Sequence, residues 1–373
     1  RPGWSRGRQI SSDHGFTCIG NTQSDAVACF DEPRGDATNR DSAAVSAGYL
    51  GDETGGALPS FGRWPLRSDE NEAWQADFSP DGTIFALSSA PTVGASETLW
   101  ATPTARVGQI PAARVADDAP SWRISNDGKK VYFRRDQVDL AVTDFPGGGA
   151  PQRLESGILG FDFVGGRPQD QALWITKALG PDSAAFELVR DRSGAPPKTI
   201  FTYSDVLDGH PVSNDLRYTT WVDVDFRGIV FRNDDLTPCA LDVPGETPVY
   251  EPAYLRGASL MFWMAEAPVN THLRDGYYAA PERCRDRTQF AHDLGLMVPV
   301  GDRGLVFTDG AATGRATLKY VAVSADGAGL GAARTIQDDV GSRIVFVGAE
   351  PPLLVYTAGG ATPGIFVYGP VPF

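Results

Sequence analysis

Apolar and polar positions alternate in short runs along most of this chain, and turn-forming residues interrupt each run. Ile84-Phe85-Ala86-Leu87-Ser88 and Val131-Tyr132-Phe133 are typical: β-branched and aromatic residues follow an Asp-Gly pair and fit a pleated, half-buried strand. No segment sustains the 3.6-residue apolar rhythm of a helix beyond about three turns. Gly (42) and Pro (28) are abundant, as many tight connections between short strands require. The pattern predicts an all-β chain.

Self-comparison gives more. The segment Ala76-Asp77-Phe78-Ser79-Pro80-Asp81-Gly82-Thr83-Ile84-Phe85-Ala86-Leu87-Ser88 aligns with Pro120-Ser121-Trp122-Arg123-Ile124-Ser125-Asn126-Asp127-Gly128-Lys129-Lys130-Val131-Tyr132-Phe133. Each copy is a short strand ending in Ser, a turn closed by Asp-Gly, and a second strand. Ser and Asp can hydrogen-bond the turn backbone, and Gly supplies positive φ without steric cost. A third strand follows at 98–102 or 138–143, and a weaker fourth near 112–116 or 151–154. A recurrence of 40–50 residues is the mark of propellers and solenoids.

These residues resemble the TolB-like (WD40-like, PD40 repeat) β-propeller superfamily, whose signature is a W/F-S-P-D-G core followed by an I-A-F-like strand. The resemblance covers residues 74–157 and fades afterwards. Ser213-Asn214-Asp215, before the strand at 217–222, reads as a degenerate copy. Ser324-Ala325-Asp326-Gly327 shares the turn residues but follows a strand at 318–323, which makes it a later loop of its own sheet. TolB carries an α/β domain ahead of its propeller, and residues 1–70 do not resemble one, so the likeness is to the superfamily and not to TolB itself.

Continuing the period gives sheets at 72–118, 119–157, 158–205, 206–247, 248–297 and 298–340. Three further strands fall at 343–348, 353–357 and 365–368. A propeller ring closed by an N-terminal strand leaves no long sheet edge exposed. The hairpin around Cys18 and Cys29 is the expected donor, which gives seven blades; six result if the last segment completes an existing sheet. Residues 1–30 then form an N-terminal disulfide hairpin, 31–71 an irregular arm rich in Gly, Asp, Ala and Thr, and 72–373 the propeller.

Charge and cysteine usage narrow the setting. The formal net charge of −14 is the opposite of the clustered Lys and Arg that nucleic acid binding needs. No apolar run is long enough to span a bilayer. Basic residues are nearly all Arg, which records a GC-rich genome. Cys18 and Cys29 bracket a polar loop between strands at 16–19 and 26–30, where a disulfide stabilises by roughly 3 kcal/mol. Cys239 and Cys284 are left for a longer bridge. An even count so arranged indicates an oxidising compartment, with free buried thiols the alternative. The chain opens on Arg1-Pro2-Gly3-Trp4 without Met, as a trimmed or signal-processed chain does.

Chemistry is sparse. His14, His210, His272 and His292 read as surface or turn residues: His210 precedes a candidate inner strand, His272 lies in a loop, and His292 lies on an outer strand. Some TolB-like propellers hold a metal through channel histidines, but these four could not all line one channel. Asp223-Val224-Asp225 and Asn233-Asp234-Asp235 flank the strand at 228–232 without the alternating D-x-D-x-D-G carboxylates of a calcium loop, although Ca²⁺ is the one cofactor they allow. Asp117-Asp118 and Asp338-Asp339 read as repeat-equivalent turns. There is no G-x-S-x-G, P-loop or C-x-x-C. Trp4 and Trp64 lie outside the repeats and are candidate partner anchors, with packing onto the propeller the alternative. Phe262-Trp263-Met264 is read as core.

The sequence therefore predicts a periplasmic, secreted or cell-surface bacterial propeller, not read as an enzyme. It would bind other proteins as a scaffold subunit of an envelope or secreted assembly, with no cofactor, nucleic acid or transmembrane segment. The alternative is a carbohydrate-active lyase or hydrolase, or a glycan-binding propeller, with its site at the channel mouth.

Overall fold

The structure is a computed structural model that describes residues 4–11, 17–21, 23–30, 42–50, 58–65, 76–90, 95–125, 127–136, 138–164, 172–180, 183–190, 198–203, 213, 217–222, 228–232, 237–241, 249–255, 257, 259–267, 270–310, 316–347, 353–358 and 364–369. Among these there is no α-helix; two single 3₁₀ turns, Thr104–Arg106 and Pro281–Arg283, interrupt a succession of strands. Antiparallel meanders of mostly four strands follow one another along the chain, consistent with a propeller-like fold.

Two compact units contain them, one of Arg1–Ile158 with Arg343–Pro372 and one within Leu159–Ser342. In the first, β1 (Trp4–Ser11) precedes sheet A, formed by β2 (Thr17–Gly20), β3 (Ala26–Phe30), β4 (Ser42–Tyr49) and β5 (Ser60–Pro65). Sheet B is β6 (Ala76–Phe78), β7 (Ile84–Ser89), β8 (Thr98–Pro103) and β9 (Ala113–Asp117); sheet C is β10 (Ser121–Ile124), β11 (Lys130–Arg135), β12 (Asp139–Asp144) and β13 (Gln152–Ser156). In the second, sheet D is β14 (Ile158–Val164), β15 (Ala172–Gly180), β16 (Ser183–Arg190) and β17 (Lys198–Tyr203), and sheet E is β18 (Tyr218–Val222), β19 (Gly228–Arg232) and β20 (Pro238–Ala240). Sheet F is β21 (Val249–Tyr254), β22 (Met261–Ala267), β23 (Asn270–Ala279) and β24 (Thr288–Ala291). Then come β25 (Leu294–Val300), β26 (Gly304–Asp309), β27 (Ala316–Ala322) and the long β28 (Arg334–Val347), whose end passes into the first unit, where β29 (Leu353–Ala358) and β30 (Gly364–Gly369) lie.

The turn chemistry read from the sequence is present in atomic detail. Ser79 Oγ donates to Asp81 Oδ1 (2.6 Å) and accepts from the Ile84 amide (2.9 Å), while the Thr83 amide donates to Asp81 Oδ1 (3.0 Å). Ser125, Asp127, Lys129 and Lys130 repeat this at 2.7, 2.9 and 3.1 Å. Gly82, Gly128 and Gly327 close the three Asp-Gly turns at φ +72°, +68° and +70°, where a Cβ would be strained. Ser324-Ala325-Asp326-Gly327 joins β27 to β28, a later loop of its own sheet as expected, yet its bonds match those of the first two turns. Ser213 exchanges bonds with Tyr218 five residues on, as Ser79 does with Ile84. The degenerate copy thus puts β18 in the second-strand position.

Three expectations need correction. Residues 42–49 and 60–65, within the expected irregular arm 31–71, are strands β4 and β5 of sheet A. Their apolar residues are small, so alternation is hard to see in the sequence, yet Val45 and Ala47 are fully buried. The Cys18–Cys29 hairpin does not complete the last sheet but opens sheet A. The strand paired with β30 lies before it: β1 runs antiparallel to β30 with Trp4 opposite Gly369 and Arg8 opposite Val367. Finally, β28 pairs with β27 only over Arg334–Val340, and Asp339 is left-handed at φ 62°. One continuous strand therefore takes part in two meanders.

Packing explains the alternation. Along β3, Ala26, Ala28 and Phe30 join Phe78, Phe85 and Leu87 of sheet B, whereas Val27 and Cys29 join Val355, Ile365 and Val367 of β29 and β30. Both faces of β22 are covered too, Met261, Trp263 and Ala265 on one and Phe262 and Met264 on the other. A strand covered on both faces reads as a continuous apolar run, and Phe262-Trp263-Met264 is core as expected.

Left-handed residues recur where one meander gives way to the next. Asp118 (φ 53°) precedes sheet C, Gly157 (φ 70°) precedes sheet D, Asp293 (φ 51°) precedes β25, and Asp339 lies inside β28. Asp tolerates this region better than most residues. The repeat equivalence of Asp117-Asp118 and Asp338-Asp339 extends to side chains: Thr98 Oγ1 donates to Asp117 Oδ1 (3.4 Å) and Thr317 Oγ1 to Asp338 Oδ1 (3.0 Å).

Candidate functional site

The four cysteines form the two expected disulfides. Cys18 and Cys29 face each other directly across β2 and β3. Cys239 on β20 is bonded to Cys284, beside the turn Pro281–Arg283 of sheet F, and so staples sheet E to sheet F. The same two sheets are joined by Tyr218 Oη donating to Glu282 Oε1 (2.8 Å) and by a hydrogen bond between Thr220 and Tyr254.

Of the two candidate anchors, Trp64 is half-buried against sheet B. Its ring stacks on Phe61 at 4.9 Å, lies 6.0 Å from Trp100, and its Nε1 donates to the Phe61 carbonyl. Packing satisfies this residue. Trp4 lies on β1, and its side chain is outside the described residues. His14, His210 and the clusters 223–225 and 233–235 also lie outside them. His272 belongs to β23, not a loop, because the β22–β23 hairpin turns earlier, between Ala267 and Asn270. No group of three or more His, Cys, Asp or Glu suited to a metal ion occurs among the described residues.

His292 is the exception among the histidines. It sits just beyond β24 rather than on it, between Ala291 and the left-handed Asp293, whose carbonyl accepts from the Gly310 amide (3.0 Å). Its Nδ1 lies 3.2 Å from Asp275 Oδ1 and 2.9 Å from Gln289 Nε2. The pairing of Gly276 with Ala291 brings the two residues together. A side chain at Gly276 would force the Phe290 ring to shift, because a Cβ there would meet Phe290 Cζ at 2.7 Å.

The pair is unequal in burial. The Asp275 side chain is 9% exposed and the His292 side chain 82%. A carboxylate removed from water needs hydrogen-bond donors. Asp275 Oδ2 receives one from Tyr277 Oη at 3.4 Å, and Oδ1 faces His292 Nδ1. The same Gln289 Nε2 also donates to the Ala291 carbonyl at 3.4 Å. Burial pushes the Tyr277 phenol up to about 12, the Asp275 charge adds to this and Arg287 opposes it, so the phenol stays a donor. Behind it, Trp263 is stacked on Tyr277 at 6.0 Å.

On the neighbouring strand positions, Tyr250 Oη donates to Glu266 Oε1 (2.8 Å) and the Arg274 guanidinium lies 4.3 Å above the Tyr250 ring. Burial, then the bond to Glu266, raises the Tyr250 phenol. In sheet B, Ser88 Oγ donates to the buried Glu97 Oε2 at 3.2 Å. None of these pairings was singled out from the sequence; the partners are distant along the chain and carry no motif.

No family model matches the chain, and no curated protein matches it. Among solved structures, a crystal structure of the eukaryotic initiation factor aligns with 97% of this chain and 86% of that one, at a TM-score of 0.52 and 10% identity. A likeness at that identity concerns the fold alone.

Proposed function

We propose that this chain is an extracytoplasmic bacterial β-propeller of the TolB-like superfamily that binds other proteins as a scaffold subunit of an envelope or secreted assembly. The observation that carries the reading is the disulfide pair, and above all Cys239–Cys284, which ties two consecutive sheets. Such bonds persist in oxidising compartments, and small increments of rigidity favour a platform over a machine that must move. No helix among the described residues is long and apolar enough to cross a membrane. Among the described residues, counting both meanders that share β28 gives eight sheets, sheet E with three described strands, and β1 paired with β30. We read these sheets as propeller blades.

Cross-linking in native envelope and secreted fractions, followed by affinity purification under non-reducing conditions, tests the reading. The expected result is a recurrent protein partner and fully oxidised cysteines. A clean monomer without a reproducible partner, or free thiols in the native protein, refutes it. The carbohydrate-active alternative draws support from the Asp275–His292 pair and predicts binding to a glycan array instead.

A further inference from the structure

The two disulfides sit in unlike surroundings. Cys18 and Cys29 are both buried, packed with Val27, Val355, Ile365 and Val367. Cys284 is fully buried too, but its partner Cys239 is only half-buried. Cys239 is the middle residue of β20, a three-residue strand that ends the order of sheet E among the described residues, between exposed Pro238 and exposed Ala240. Thiol–disulfide exchange needs a thiolate aligned behind the sulfur it attacks, opposite the sulfur that leaves. A thiolate arriving from solvent therefore reaches Cys239 Sγ, with Cys284 leaving inward, whereas neither sulfur of Cys18–Cys29 offers such an approach. The reduced state is accommodated as well. The Ala240 carbonyl oxygen lies 3.3 Å from Cys284 Sγ, where it can accept from a thiol, which has a hydrogen to give, but not from a disulfide, which has none. The Tyr218–Glu282 and Thr220–Tyr254 bonds hold sheet E to sheet F independently of the sulfurs.

We propose that Cys239–Cys284 is a reversible exchange site for dithiol reductants in the folded protein, while Cys18–Cys29 is a permanent link. One thiol of the reductant loses its proton and bonds to Cys239 Sγ as the Cys239–Cys284 bond breaks, and the bonding electrons leave on Cys284 Sγ. Cys284 takes up a proton and donates it to the Ala240 carbonyl as a hydrogen bond. The second thiol of the reductant then loses its proton and bonds to the first, and Cys239 leaves as a thiolate that is protonated in turn. Two electrons and two protons pass to the protein, and the reductant ends as a disulfide. The covalent tie between sheets E and F is lost while their hydrogen bonds and shared apolar cluster remain. Strands β18–β20 then open more often without unfolding of the whole chain. The inference does not rest on the scaffold reading. A chain that captures a partner yet resists dithiols keeps that reading and loses this one, and a chain that exchanges but captures no partner does the reverse.

The test treats the full oxidised chain in native buffer with dithiothreitol and, in parallel, with a thioredoxin-fold protein dithiol. Samples are quenched with acid, alkylated and peptide-mapped. Cys239 and Cys284 should become alkylated about 10²-fold faster than Cys18 and Cys29, while near-ultraviolet circular dichroism stays that of the folded chain. Reduction by either reagent supports the site, and the faster one tells a small dithiol from a protein dithiol as its source. Hydrogen exchange of β18–β20 should quicken on reduction and return to its first rate on reoxidation. Two single variants locate the attacked sulfur: dithionitrobenzoate should react with Cys239 in Cys284→Ser about 10–10²-fold faster than with Cys284 in Cys239→Ser. Equal reduction of the two pairs in the folded chain overturns the proposal. So does reduction that occurs only as the chain unfolds, or faster reaction at Cys284 than at Cys239.

Discussion

Replacing Ser79 by Ala would expose how much the repeated turn contributes to stability. The Ser79 hydroxyl does two things at once: it accepts from the Ile84 amide at 2.9 Å and donates to Asp81 Oδ1 at 2.6 Å. Ser79 is 3% exposed, so its removal leaves an amide donor with little access to water, at about 1–3 kcal/mol. Asp81 keeps its bonds to the Thr83 amide and hydroxyl, so its share of the loss is small. We expect about 2 kcal/mol for Ser79→Ala and the same for Ser125→Ala, since Ser125 is 1% exposed with the same bonds. Ser324 has the same bonds but is half-exposed, so water can replace its hydroxyl and Ser324→Ala should cost about 0.5–1 kcal/mol. Urea unfolding at constant m-value measures all three. The reasoning fails if Ser324→Ala costs as much as Ser79→Ala, or if none of the three is destabilising.

The same turn gives a pH dependence with a definite sign. Burial pushes the Asp81 carboxyl up, but the Ser79 hydroxyl and the Thr83 amide and hydroxyl together hold it below its ordinary 3.8. A carboxyl depressed in the folded state stabilises the protein fully above that ordinary value and loses this contribution as pH falls through the lower folded one. Acid should therefore weaken the wild-type protein below about pH 4 more steeply than Asp81→Asn. The two disulfides should differ: by loop-closure entropy, replacing Cys239 and Cys284 by Ser costs about 4 kcal/mol for a separation of 45, and replacing Cys18 and Cys29 about 3 kcal/mol for a separation of 11. Denaturant unfolding of the two double variants checks the order. Trp263→Ala, at a fully buried position packed between sheets, should cost about 3–5 kcal/mol in the same assay. At the left-handed crossover, Asp339→Val should lose about 1–2 kcal/mol relative to Asp339→Gly, measured by thermal melting.

Where a local rule fixes local structure, the sequence was readable. Ser-x-Asp-Gly specifies its turn through bonds spanning at most five residues, so the copies at 79–82 and 125–128 could be aligned, and Ser213 recognised as their remnant. Strand β22 was readable for a related reason: burial on both faces leaves an uninterrupted apolar run. Sheet A defeated the same approach at β4, whose Ser42–Tyr49 stretch buries Val45 and Ala47 on one face with little contrast against its serines. Pairing partners distant in sequence carry no local mark at all. Nothing in Trp4–Ser11 distinguishes a strand that pairs with β30 from one that begins sheet A, because that choice depends on which edge lies nearby after the rest of the chain has folded.

The Asp275–His292 pair follows the same logic at the scale of chemistry. The residues are 17 apart, a spacing with no meaning in a helix and none in a single strand. They meet because Tyr277 stands opposite Gln289 and Gly276 opposite Ala291, with a register shift between the two pairs. Gly276 stands at that irregularity, with the Phe290 ring lying close over it. Without the shift, alternation of faces along β24 would place the residues after it differently with respect to Asp275. The pair therefore rests on the backbone register as much as on its two side chains. A bulge of this kind carries no polar signature, which is why a search for acids, bases and metal ligands by spacing passes over the pair while the backbone register assembles it.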